Sequence, residues 1–175
     1  MNTLLTGAVA PGFDDPLEML LACHGRIQAQ CHTLHRLEDH LITHGNDEQA
    51  QQAARAILRY FDTAGRHHHD DEEQDLFPAL LATGDPTAQG LVAQLLAEHQ
   101  KMDAAWQRLR PLLLDIAEAG SGQLDAAAAA HFSELYAQHI ALENGSLLPL
   151  ASRLLTEVQL GSLGRSMAAR RGVSI

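Results

Sequence analysis

His68-His69-Asp70-Asp71-Glu72-Glu73-Gln74-Asp75-Leu76-Phe77-Pro78 is answered, 71 residues later, by His139-Ile140-Ala141-Leu142-Glu143-Asn144-Gly145-Ser146-Leu147-Leu148-Pro149. His-x3-Glu, then Leu, then an apolar residue and Pro, recur at the same positions. Phe61 and Phe132 each precede the His by seven. A second pair of segments also matches, 75 residues apart: Leu20-Leu21-Ala22-Cys23-His24 and Leu95-Leu96-Ala97-Glu98-His99. The chain reads as two helix pairs, each carrying a lone His and then a His-x3-Glu. Residues i and i+4 share a helix face, about 6 Å apart along the axis. His68 can therefore point inward with Glu72, and His139 with Glu143. His24 and His99 come from the other two helices, and Phe61 and Phe132 would wall the site with rings.

Working outward, the rhythm of apolar residues is helical throughout. The first helix is expected over about 16–44, started by Asp14 or Asp15 with Pro16 and stopped by Gly45-Asn46-Asp47. A second runs from about 48 to 82, with Gly65 and Pro78 as its awkward residues and a kink near Pro78. Thr83-Gly84-Asp85-Pro86 ends it. A third runs from about 87 to 118 and a fourth from about 124 to 155, with a short fifth within 157–171. Short connections between long helices imply an all-α, antiparallel up-down-up-down four-helix bundle with a short C-terminal extension. The division is a flexible arm over 1–14, the helical domain over 15–156, and a tail or short helix over 157–175. Arg165, Arg170 and Arg171 are read as a solvated basic end.

Composition agrees. At 175 residues the chain can bury a substantial single core. Hydrophobic residues make up 46% and aromatics only 4%, with abundant Leu and Ala, which suits packed helices better than sheet. A net charge of −10 offers no footprint for nucleic acid or anionic lipid. Cys23 and Cys31, eight residues apart on one helix, lie about 12 Å apart along its axis, too far to bridge. They read as reduced core residues, the usage of a cytoplasmic protein. No signal-peptide pattern and no apolar run of about 18 residues is seen, so no membrane partner is expected.

The donor set decides the chemistry. Four imidazoles and two carboxylates exceed what one tetrahedral zinc takes, and no thiolate set for a soft metal is present. Two metals sharing them, with both Glu bridging, is the economical arrangement, and the carboxylates offset charge that neutral imidazoles cannot. His67 and His69 flank the inward His68 and are assigned to the polar face. His32, His35, His40 and His131 are assigned to surface or rim, and Asp70, Asp71 and Glu73 to solvent or an outer shell.

These marks, over about residues 15–156, resemble the hemerythrin-like, or HHE cation-binding, family. The resemblance implies a non-haem di-iron centre in a four-helix bundle, its two irons bridged by carboxylates and an oxo or hydroxo group. Its ligands would be His24, His68, Glu72, His99, His139 and Glu143, with Mn or Zn as substitute metals. Oxygen-carrying members have a fifth His where this chain has Asp103, which can ligate, hold a water or orient His99. Some bacterial relatives have an extra His near the end of helix one, the region of His44. The implied function is binding, sensing or handling of O2, nitric oxide or iron, with a small diatomic ligand or oxidant as partner. The alternatives are a di-iron enzyme acting on peroxide or oxidising iron, and a structural bundle with zinc or an empty site. Tyr60, Tyr136 and Asp103 are the proton-transfer candidates for an enzyme.

Overall fold

Aspartates start the long helices. Asp15, Asp47, Asp85 and Asp125 each accept the backbone N–H three residues on, through the side chain. Thr156 and Gln159 form a reciprocal capping box at a fifth start. The computed structural model describes residues 12–174, and every regular element among them is helical. In chain order these are α1 (Pro16–His44), α2 (Glu48–Asp62), α3 (Ala64–Asp71), a π-helical turn π1 (Glu72–Leu76) and α4 (Phe77–Leu81). They continue with α5 (Pro86–Ala117), α6 (Ala126–Leu142), a second π-turn π2 (Glu143–Leu147), α7 (Leu148–Leu154) and α8 (Glu157–Arg170). No helix among the described residues is long and apolar enough to cross a membrane.

The second expected helix is divided. It breaks at Thr63 (φ −127°, ψ −82°), just before Gly65. A Cβ on Gly65 would come within 3.2 Å of the Phe61 ring, so the glycine lets the new turn close over that ring. The chain then widens into π1, where the Phe77 N–H reaches back five residues to the Glu72 carbonyl. The same happens in π2, from the Leu148 N–H to the Glu143 carbonyl. Pro78 and Pro149 follow one residue later. In an α-helix each proline ring would clash with the carbonyl four residues back. A π-turn holds one extra residue and opens that spacing. The kink expected at Pro78 is thus a change of helical pitch, and Pro149 repeats it.

The four long helical stretches pack in a cycle. α1 packs on α2 and α6, and α5 packs on α2 and α6. Two apolar clusters result. One holds Ile27, Phe61, Met102 and Tyr136 among others, and the second holds Leu20, Leu76, Leu95 and Leu147. Along every stretch the buried His and Glu fall between a residue of one cluster and a residue of the other. A polar layer therefore separates two apolar ones.

Phe13 and the end of α8 are more tightly fixed than expected. Residues 1–11 of the expected arm lie outside the described residues. Phe13, however, packs beside the second cluster, under the Arg171 guanidinium. A Cβ on Gly164 of α8 would collide with the Phe13 carbonyl, so glycine is required for that approach. Arg165 is exposed as expected, but Arg170 and Arg171 are not a solvated tail. Arg170 and Arg171 both pair with Asp71, which is fully buried, and Arg170 also reaches Asp75 at 2.7 Å. A carboxylate without exposure needs such partners, which corrects the reading of Asp71 as solvated.

Candidate metal centre

The six donors expected from the sequence come together. His24, His68, Glu72, His99, His139 and Glu143 are each no more than 2% exposed. His24, His68, Glu72 and Glu143 form one group whose donor atoms lie within 4.8 Å of one another, and Glu72, His99, His139 and Glu143 form a second. Both carboxylates belong to both groups. Glu72 sets Oε1 3.4 Å from His68 Nε2 and Oε2 3.3 Å from His99 Nε2. Glu143 sets Oε2 3.1 Å from His24 Nε2 and Oε1 3.1 Å from His139 Nε2. Each carboxylate thus turns one oxygen to each imidazole pair. None of these four oxygens has a partner in hydrogen-bonding geometry, nor do Nε2 of His24 or of His68. Buried lone pairs that converge without satisfying each other are costly unless a cation lies among them.

The far side of each ring is held differently. His99 Nδ1 meets Glu73 Oε1 at 2.6 Å, and His139 Nδ1 meets Glu98 Oε2 at 2.8 Å. His24 Nδ1 meets Asn144 Oδ1 at 2.6 Å. An oxygen acceptor there places the proton on Nδ1 and leaves the Nε2 lone pair facing the centre. His68 Nδ1 has no such partner. The internal repeat carries into this layer, since Glu73 and Asn144 each follow the Glu of their own half and each orient the lone His of the other. His99 is therefore oriented by Glu73. Asp103, one of the residues that could have served, is exposed and lines a cleft instead. His44 is exposed at the end of α1, stacked on His40.

Burial sets the protonation. It holds His68 well below the ordinary imidazole value, with His24 adding to the effect. It lowers His99 too, joined by His139 and opposed by Glu73. For His139, burial is outweighed by Glu143 and Glu98, which raise it. Burial beside Glu143 pushes the Glu72 carboxyl well above its usual range. Burial also presses on Glu143, but His139 and His24 overcome it and hold that carboxyl low. Without added positive charge the two carboxylates cannot both ionise comfortably.

The assignment of His69 to the polar face is overturned. Its donor atom lies within 4.8 Å of those of His99 and His139. Its ring stacks on His99 at 4.0 Å and on Tyr136 at 5.8 Å, and its Nε2 is buried without a partner. A single-face reading of the helix missed it. His69 is turned about 100° from His68, and a helix packed between two neighbours buries an arc at least that wide. The signal was Glu73, four residues after His69 on the same row. His69 also lines a cleft of about 700 Å³ with Tyr136, Asp103, Glu73, Arg66 and Trp106. Phe61 and Phe132 meet edge to face at 4.9 Å within the first apolar cluster, and Phe61 also lines this cleft. Tyr60 packs at the edge of that core, and burial pushes its phenol up to about 12. Burial also holds Tyr136 well above 10.

A chain whose described elements are all helical, with a buried layer of imidazoles and shared carboxylates, is of the metal-binding class. The sequence model of the hemerythrin HHE cation binding domain matches residues 15–151, and the chain belongs to that family. A protein of Haemophilus influenzae, named only as uncharacterized, is 33% identical over 161 residues, which is 92% of each chain.

Proposed function

We propose that this chain is a non-haem dinuclear iron protein, an antiparallel up-down-up-down four-helix bundle that holds two irons among His24, His68, Glu72, His99, His139 and Glu143. The observation that supports it most is the division of each carboxylate between two imidazole pairs. One cation would need only one oxygen from each. Imidazole with carboxylate suits iron, and also Mn or Zn. When bound, the irons supply redox chemistry and an open coordination position for a small diatomic molecule or oxidant. The protein residues orient the rings of His24, His99 and His139 through Nδ1 and exclude water with the two apolar clusters. We read the physiological role as binding, sensing or handling of O2, nitric oxide or iron. The two buried free thiols, Cys23 and Cys31, accord with a reducing, cytoplasmic compartment.

A second reading, an enzyme acting on peroxide or oxidising iron, is favoured by the cleft beside His69, which has room for more than a diatomic molecule. The test is to load metal-free protein with ferrous iron without air, then add O2, nitric oxide or peroxide. About two irons per chain and a stoichiometric near-ultraviolet and visible change support the binding role. Sustained turnover moves the assignment to the enzyme. A colourless protein that takes up only zinc, or no metal, overturns both.

A further inference from the structure

We propose that the cleft between the α2/α3 stretch and α5 is the docking site of an electron donor, a neutral hydroquinone-type aromatic molecule whose electrons enter the centre from behind His99. This rests on the dinuclear reading and deepens the second role given to it, since an enzyme acting on peroxide needs a reductant. The cleft holds about 700 Å³, yet none of the six metal donors lines it. Two of its lining residues instead touch His99 from outside. Glu73 meets the outward Nδ1 at 2.6 Å, and His69 lies on the ring face at 4.0 Å. An occupant of this cleft is therefore not placed to coordinate, or to exchange atoms, among the donors. It is placed to exchange electrons.

The lining fits a planar molecule. Phe61, Trp106 and Tyr136 offer ring surface, and Met102 a thioether, on which aromatic rings pack well. The rings are continuous from the cleft to His99. Trp106 packs on Phe61 at 5.2 Å and on Phe132 at 5.5 Å; these pack on Tyr136 at 5.5 Å and 5.1 Å, and Tyr136 stacks on His69 at 5.8 Å. Electrons cross packed rings more readily than solvent-filled gaps. The rim then selects among donors. Asp62 is taken up by Arg110 and by the Trp106 Nε1–H. Asp70 from α3 and Asp103 from α5 remain as carboxylate acceptors for the hydroxyls of a hydroquinone. Four carboxylates, Asp62, Asp70, Glu73 and Asp103, line the cleft against two guanidiniums, Arg66 and Arg110. That balance disfavours anionic reductants. The hydroquinone gives up two electrons and two protons and leaves as the quinone. Those electrons and two protons are what one hydrogen peroxide needs to become two waters.

The test uses menadiol, a two-ring hydroquinone, without air. Trp106 is the only Trp of the chain and lines the cleft, so its fluorescence reports occupancy. Metal-free full-length protein should show saturable quenching at one menadiol per chain. Asp103→Phe sets a ring across the cleft from an exposed position and should weaken this binding by about tenfold, or ~1.4 kcal/mol. In ferric iron-loaded protein, menadiol should bleach the visible absorption and release menadione. Asp103→Phe should slow that bleaching by about tenfold relative to bleaching by dithionite, which needs no docking. Should Asp103→Phe fail to fold, Gln107→Phe, also at an exposed position of α5, takes its place. Quenching that does not saturate, quenching indifferent to the variant, or binding without bleaching overturns the donor site, and an iron content of two per chain then leaves the dinuclear reading standing. Saturable quenching in a chain that takes up no iron overturns the dinuclear reading and the donor role with it.

Discussion

At the scale of single residues, a ligand and its neighbour can be told apart by experiment. His68→Ala or Glu143→Ala should lower iron content and melting temperature together, because metal binding free energy adds to folding free energy. His67→Ala, one residue from His68, should change neither. Unaltered iron in both ligand variants, measured by elemental analysis, would count against the assignments. A finer prediction concerns the orienting residues. Glu98→Gln keeps an acceptor for His139 Nδ1 but removes the charge. Affinity should fall about 10- to 100-fold with the helical circular dichroism unchanged. Equal affinity in a competition titration would show that the charge behind the ring is immaterial. The six donors were legible in the sequence because each repeats at a fixed offset. His69 was not, because the other half has Ile140 there and no repeat marks it. Asp71 was misread for a related reason: its partners, Arg170 and Arg171, lie about a hundred residues away and belong to no pattern.

At the scale of elements, the boundaries of the long helices followed from their caps, while the π-turns did not. A Pro in a helical pattern announces a disturbance but not its form. What decides the form is that Glu72 and Phe77, five apart, are both buried, as are Glu143 and Leu148. An α-helix would turn residues five apart by about 140° from each other. Deleting Gln74, an exposed residue of π1, should convert the turn to ordinary α-helix. Glu72 and the Phe77–Leu80 apolar face would then no longer both point inward. Loss of metal and a lower melting temperature are expected, with helical content retained. Retained metal at full affinity would mean that π1 is dispensable. α8 carries a separate prediction. Arg170→Ala with Arg171→Ala leaves Asp71 as an uncompensated buried carboxylate, which costs about 3–5 kcal/mol. Adding Asp71→Asn to that pair should recover part of the loss in melting temperature, since the buried charge is then gone.

At the scale of the whole molecule, the centre makes stability depend on pH, and metal removes one side of that dependence. Take the metal-free chain first. Burial lowers His68, His69 and His99, with neighbouring imidazoles adding to it. Below the ordinary value of about 6.5 the unfolded chain takes up protons that these folded residues refuse, so stability falls as pH drops. Glu72 opposes this. Its folded value is raised by burial and by Glu143, so it keeps a proton that the unfolded chain gives up above about 4.5, and stability falls as pH rises. Between about 4.5 and 6.5 the three imidazoles pull one way and Glu72 pulls the other. The imidazoles win, and acid destabilises. Above about 6.5 the three imidazoles no longer contribute a slope. Glu72 and His139, whose folded value is raised by Glu143 and Glu98 against burial, then both make stability fall with rising pH, up to their raised folded values. The metal-free protein should therefore melt highest near pH 6.5. A metal ion competes with those two protons and needs Glu72 ionised and His139 neutral, so its affinity grows as pH rises. The loaded protein should hold its stability above pH 6.5, where the metal-free protein loses it, because the gain in metal affinity offsets the loss from these two protons. Melting temperatures from pH 5 to 8.5, with metal and with chelator, check this. Parallel curves would mean that the cation does not meet these two residues, and that the ions lie somewhere other than between the two carboxylates.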